Sequence, residues 1–150
     1  MNFEEKLMED LKKAIKEKDQ IRVSVIKLLR AELKNAKIAK MADLTEEDFI
    51  KIVRKEIKKR EEAIDMYKKG GREDLAAQEE KELGILKEYL PPQLSDEELE
   101  KIIDEVIEEV GATSMKDMGK VMKEVMARVS GRADGSKVSA IVKSKLGGQK

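Results

Sequence analysis

Neither cysteine nor histidine occurs among the 150 residues. That removes disulfides, thiolate nucleophiles, Cys/His metal sites and imidazole acid–base chemistry together. Catalysis would have to rest on carboxylates, lysines, hydroxyls or a borrowed cofactor, and no cofactor or metal is expected. Aromatic residues make up only 3% of the chain, too few for a surface that stacks unpaired bases. No run of about 18 apolar residues appears, so no membrane-spanning helix is predicted. The opening MNFEEKLMEDLKKAIKEKD alternates charges and lacks the apolar core of a signal peptide. Charge of one sign is also missing: 32 basic residues balance 32 acidic ones. With no global field, any affinity for nucleic acid must come from local segregation of charge. These absences together predict a cytoplasmic protein without a membrane partner.

What is present suits helices. Charged residues are 43% and hydrophobic residues 40% of the chain, with only two prolines, a mixture dominated by good helix formers. Apolar residues at three- and four-residue spacing mark the faces. Phe3, Leu7, Leu11, Ala14 and Ile15 give a first helix ending near residues 17–19. Ile21, Val25, Leu28, Leu29, Leu33 and Ala36 give a second, to about Ala39. Thr45 and Asp48 form a cap of the S/T-x-x-D/E kind opening a third, along Phe49, Ile52, Val53, Ile57, Ile64 and Tyr67. Gly70-Gly71 stops it, and a fourth follows over about 73–88 with Leu75, Glu79, Leu83, Leu86 and Leu90 inward.

Pro91-Pro92 cannot continue a helix, which makes YLPPQLS the boundary between a domain over 1–90 and one over 93–150. Ser95 and Glu98 then cap a fifth helix carrying Leu99, Ile102, Ile103, Val106, Ile107 and Val110. A sixth starts near Ser114 with Met115, Met118, Val121, Met122, Val125, Met126 and Val129 inward. A seventh carries Val138, Ile141, Val142 and Leu146. The predicted fold is all-α, an N-terminal four-helix region followed by a small three-helix domain.

The glycine-rich SGRADGSK stretch fails as a phosphate loop. Gly131 and Gly135 have three residues between them, no Gly-Lys-Ser/Thr follows, and a helix rather than a strand precedes. A turn explains it better: Gly131 as a helix C-cap, and Asp134 or Ser136 as the N-cap of the last helix. Charge, in contrast, is segregated. Residues 94–110 are almost entirely acidic in their polar positions, whereas Lys and Arg dominate from Thr113 onward. Lys116, Lys120 and Lys123 fall on one helical face opposite Met118, Met122, Val125 and Val129, with Arg128, Arg132 and Lys137 near the adjoining loop. Such a stripe reads either as a solvated face or as a contact for an RNA backbone. Lys145 projects near the centre of the last apolar stripe and is expected to snorkel at the helix end.

In the first region Lys27, Arg30, Lys34 and Lys37 share a face. Glu56 and Arg60 lie inside the apolar stripe of the third helix, where an ion pair would be structural, because one charge left alone there is costly. The methionines of the sixth helix read as core, or alternatively as an adaptable partner groove.

EIKKREEAIDMYKKGGREDLAAQEEKELGILKEYLPPQLS in the middle, with SMKDMGKVM and GRADGSKVSAIVKSKL at the end, resembles the YqeY-like family. The C-terminal part of that family is similar to the tail domain of the B subunit of the glutamine-dependent aspartyl/glutamyl-tRNA amidotransferase, a carbon-nitrogen ligase. The resemblance implies a helical region followed by a three-helix tail. It also implies a non-catalytic, tRNA-binding accessory module, with Lys116, Lys120, Lys123, Arg128, Arg132 and Lys137 as RNA-facing candidates and no catalytic residue. A protein partner from translation or tRNA aminoacylation would fit the same setting. The alternative is a helical protein–protein interaction adaptor.

Overall fold

A computed structural model describes residues 2–147. Among them every regular element is helical: α1 (Phe3–Lys16), α2 (Gln20–Lys40), α3 (Glu46–Lys69), α4 (Glu73–Lys87), α5 (Asp96–Val110), α6 (Met118–Val129) and α7 (Gly135–Gly147), with a short 3-10 turn at Met115–Asp117. The chain divides into two compact units, Met1–Leu90 and Pro91–Lys150.

The first unit contains α1 to α4. Each helix contributes one apolar stripe to a shared core: Leu7 and Leu11 from α1, Ile26 and Leu29 from α2, Phe49 and Val53 from α3, Ile85 and Leu86 from α4. Each such side chain taken fully from water contributes about 1.5–3 kcal/mol. The few aromatics are concentrated here. Phe3 stacks on Phe49 with ring centroids 4.7 Å apart, and Tyr89 meets Phe49 edge-on at 6.3 Å. The Thr45/Asp48 capping box forms as the sequence predicts, each side chain bonded to the other's backbone N–H. Lys40 adds an ion pair to Asp48. The Lys40 hydrogen bond and the Thr45 N–H together draw the Asp48 carboxyl down to about 2.

Glu56 and Arg60 of α3 pair at 2.9 Å, with Glu56 only 2% exposed. Arg60 also reaches Glu82 of α4 at 3.6 Å, and Lys59 approaches the second Glu56 oxygen at 3.1 Å. Glu79 stands beside this group. Burial pushes its carboxyl up, the Glu82 charge adds to that, and Arg60 only partly offsets both. The buried Glu56 charge is thus compensated within α3 by Arg60 and Lys59, and Arg60 carries the network to α4 through Glu82, as expected of a structural pair. The inner face of α4 follows the prediction at Leu86 and, partly buried on the core, at Leu83 and just past the helix at Leu90, and it extends beyond the predicted face to Ala76 and Ile85. Ala76, Ile85 and Leu86 are the buried positions, and Leu75, Glu79 and Leu83 are only partly covered. This helix packs against both α2 and α3, so its buried face is wider than a single stripe.

In the second unit, Ser95 and Glu98 cap α5 reciprocally. Gly111 ends it at φ 68°, a conformation that costs glycine nothing. Leu99, Ile103 and Val106 of α5 pack with Val121, Val125 and Val129 of α6 and with Val138, Val142 and Leu146 of α7. Chain entry is fixed by the Leu94 N–H, which donates to the Arg132 carbonyl in the α6–α7 turn at 2.8 Å.

Candidate nucleic-acid interface

Two side chains locate the start of α6. Ser114 and Asp117 cap the 3-10 turn reciprocally. Asp117 accepts backbone N–H bonds from Thr113 at 3.0 Å and Ser114 at 3.4 Å, and those bonds hold its carboxyl below the usual range. The 3-10 turn replaces the first turn predicted for the sixth helix, because Asp117 is committed to the loop before it.

Beyond this anchor, Lys116, Lys120 and Lys123 are all exposed. Among the described residues none of the three forms an ion pair. Gly119 and Ala127 lie on the same stripe by helical spacing and are also exposed, and the space above Gly119 is open. The stripe therefore consists of three exposed ammonium groups without ion pairs among the described residues, with small residues between and beyond them. Exposed charges without ion pairs are the ones that can release counterions on binding, although Lys120 lies close enough to Asp117 to help lower its carboxyl.

The other three candidates are engaged within the unit. Arg128 pairs with Glu109 of α5 and, at 3.2 Å, with Glu124. Its guanidinium is held above its ordinary pKa by the Glu109 hydrogen bond first and the Glu124 bond second. Arg132 turns back on α6, donating to the Val129 carbonyl at 3.1 Å and the Arg128 carbonyl at 3.0 Å. Both carbonyls lie at the C-terminal end of the helix, and the Val129 carbonyl also accepts the Arg132 backbone N–H at 2.9 Å. Lys137 pairs with Asp96 at the start of α5. The structure thus brings Arg128, Arg132 and Lys137 to the α5–α6–α7 contacts and leaves Lys116, Lys120 and Lys123 together in solvent. The Glu124–Arg128 spacing of four was visible in sequence; the partners Glu109 and Asp96 had no signal short of the fold.

The SGRADG turn also differs in detail. Ser130, at φ 41°, is the C-cap of α6, and Gly131 follows it in the left-handed region at φ 81°. Asp134 does cap α7, accepting the Ser136 N–H at 3.0 Å. The methionines divide. Met118 and Met122 pack on the core, whereas Met115 and Met126 are 40% and 36% exposed, because they lie to one side of the valine stripe. Lys145 reaches from the last apolar face to Asp104 at 2.8 Å and is only partly exposed.

A family model described as Yqey-like protein matches residues 4–146. The chain belongs to the YqeY-like family. Among its relatives is the fungal "Altered inheritance of mitochondria protein 41, mitochondrial" of Vanderwaltozyma polyspora, 35% identical over 119 residues, covering 75% of this chain and 64% of the relative. The protein of the same name from Pyrenophora tritici-repentis is 27% identical over 145 residues, 95% of this chain and 80% of that one. A shorter match, 46% identical over 57 residues, links 35% of this chain to 9% of the E subunit of the "Glutamyl-tRNA(Gln) amidotransferase" of Thermococcus gammatolerans. The YqeY-like chain therefore spans just under two thirds of the Vanderwaltozyma relative's length and shares only a partial stretch with the amidotransferase.

These relatives overturn the cytoplasmic placement predicted from the sequence, since three that match three quarters or more of the chain are named as mitochondrial. The prediction rested on the lack of a signal-peptide core and of a membrane-spanning run, and neither absence carries an address. No helix among the described residues is long and apolar enough to cross a membrane.

Proposed function

We propose that this YqeY-like chain is a non-catalytic module that binds folded tRNA through the phosphate backbone, using the Lys116–Lys120–Lys123 face of its second unit. In this reading the second unit is a three-helix, tail-like domain and the first a four-helix region. The observation that carries it is the cluster of three exposed lysines without ion pairs in a unit whose other candidate cations are engaged internally. The partial likeness to a protein named as a glutamyl-tRNA(Gln) amidotransferase supports the choice of RNA. Such a surface reads shape and phosphate rather than sequence, in keeping with the scarcity of stacking aromatics.

The test is fluorescence anisotropy of folded tRNA with the full chain across a salt series. Binding should weaken with salt, and the triple variant Lys116→Glu, Lys120→Glu, Lys123→Glu should lower the logarithmic salt slope by about 2–3, roughly one for each phosphate no longer neutralised. No binding at low salt, or a slope unmoved by the triple variant, would sink the reading.

A further inference from the structure

The first unit carries a groove that the RNA reading does not use. It lies between α1 and α2 and has a volume of about 410 Å³. Its floor is apolar, made by Leu7, Met8 and Leu33; Arg30 and Lys34 border it on the α2 side, and Glu4 and Glu5 on the α1 side. Leu7 is fully buried, but Met8 is 39% exposed. Ile15, 55% exposed, follows Met8 by seven residues, so the two apolar side chains occupy the same face of α1 two turns apart. On α2, Lys27 continues the face of Arg30 and Lys34. None of these three cations forms an ion pair among the described residues, whereas Lys37, at the groove's end, is bound to Asp43 at 3.1 Å.

The groove is too small for a whole helix, about 10–12 Å across with its side chains, but it accommodates the side chains of one helix face. An apolar floor of Leu7, Met8 and Leu33, with Ile15 exposed one heptad beyond Met8 on the same helix face and cations without ion pairs along the α2 side, is the complement of a helix with apolar residues at heptad spacing and acidic residues along one side. RNA fits poorly here. No aromatic side chain lines the groove to take a base, and its apolar floor offers nothing to a phosphate backbone.

We infer that the α1–α2 groove docks an amphipathic, acid-flanked helix of a protein partner. Its apolar residues seat on Met8 and Ile15, and its carboxylates meet Lys27, Arg30 and Lys34. This inference stands on a different unit from the RNA surface and is independent of it.

The full chain, labelled at its methionine methyl groups, is titrated with a synthetic helical peptide of about four turns carrying Leu at heptad spacing and Glu beside it. A matched peptide has Lys in place of Glu. The Met8 methyl resonance should shift with the acidic peptide. The variant Arg30→Glu, Lys34→Glu, both at exposed positions, should bind it about tenfold more weakly and prefer the Lys peptide instead. That exchange of preference separates docking from loss of fold. Equal affinity for both peptides or an unmoved Met8 signal would overturn the inference. So would a Met8 signal that responds instead to tRNA or to protein concentration alone, which would assign the groove to RNA or to a second copy of the chain.

Discussion

The Tyr89 hydroxyl donates a 2.6 Å hydrogen bond to Asp10, across 79 residues of sequence. It ties the segment that follows α4 to the middle of α1, beside the Phe3–Phe49–Tyr89 ring cluster. Lys6 bonds the other oxygen of the same carboxylate at 2.9 Å. Burial would push Asp10 up, but the Tyr89 and Lys6 hydrogen bonds outweigh it and hold its pKa below the ordinary value. Tyr89 is shifted upward, by burial first and then by its bond to the Asp10 carboxylate, so the phenol remains a donor.

Tyr89→Phe should therefore cost the first unit about 1.5–3 kcal/mol at neutral pH, the worth of a hydrogen bond to a charged group. The sign with pH follows from Asp10's depressed folded-state value. Its contribution is fully present above the unfolded pKa and is lost as pH falls through the folded one. Urea unfolding of wild type and variant at pH 7 and at about pH 3 should show the deficit shrinking in acid. An equal deficit at both would contradict the coupling.

Removing Arg60 should be the costliest of these changes. Arg60→Met leaves Glu56, 2% exposed, as a buried charge with only the solvent-facing Lys59 for company, a loss of about 3–5 kcal/mol. Replacing both partners, Glu56→Leu with Arg60→Met, should recover most of it, because no orphan charge remains. A double-mutant cycle by chemical denaturation reads this directly, and additive losses would show the two residues to be uncoupled.

Met41 caps α2 at φ 59° and is 91% exposed. A side chain strains this left-handed conformation and makes no compensating contact there, so Met41→Gly should stabilise the fold by about 0.5–1 kcal/mol after glycine's extra unfolded-state entropy is counted. A rise in the thermal midpoint is the readout; a fall would mean that Met41 packs more than its exposure indicates.

Lys120→Glu and Arg132→Met should part company. The Arg132 side chain donates to two carbonyls at the end of α6, of which the Val129 carbonyl keeps a backbone partner without it, so its loss should destabilise the second unit by about 1 kcal/mol and leave the salt slope of tRNA binding as it was. Lys120 is exposed and unpaired among the described residues, so its reversal should leave the melting curve in place and weaken tRNA binding. Calorimetry and anisotropy on the same two variants test the division of roles.

Local rules were legible along the chain. The Thr45/Asp48 and Ser95/Glu98 capping boxes, the arrest of α3 at the glycine pair and the Glu56–Arg60 pair all depend on residues within one or two turns of each other, where spacing alone sets the geometry. Lys120 and Lys123 belong to the same class, because three residues apart on one helix they share a face whatever the helix packs against, whereas Lys116 falls in the 3-10 turn before α6.

Legibility ended where an outcome depended on partners distant in sequence. Arg128, Arg132 and Lys137 look like Lys120 in a one-dimensional reading, yet Glu109, the α6 carbonyls and Asp96 engage them once α5, α6 and α7 meet. The wider buried face of α4, the division of the methionines and the groove of Met8, Arg30 and Lys34 arise in the same way. Residue order was enough to make the chain helical, to place most helix starts and stops, and to assign residues to a common face. Which charges stay free and which apolar side chains stay uncovered was decided only on folding, because both are properties of what packs against a face and not of the face itself.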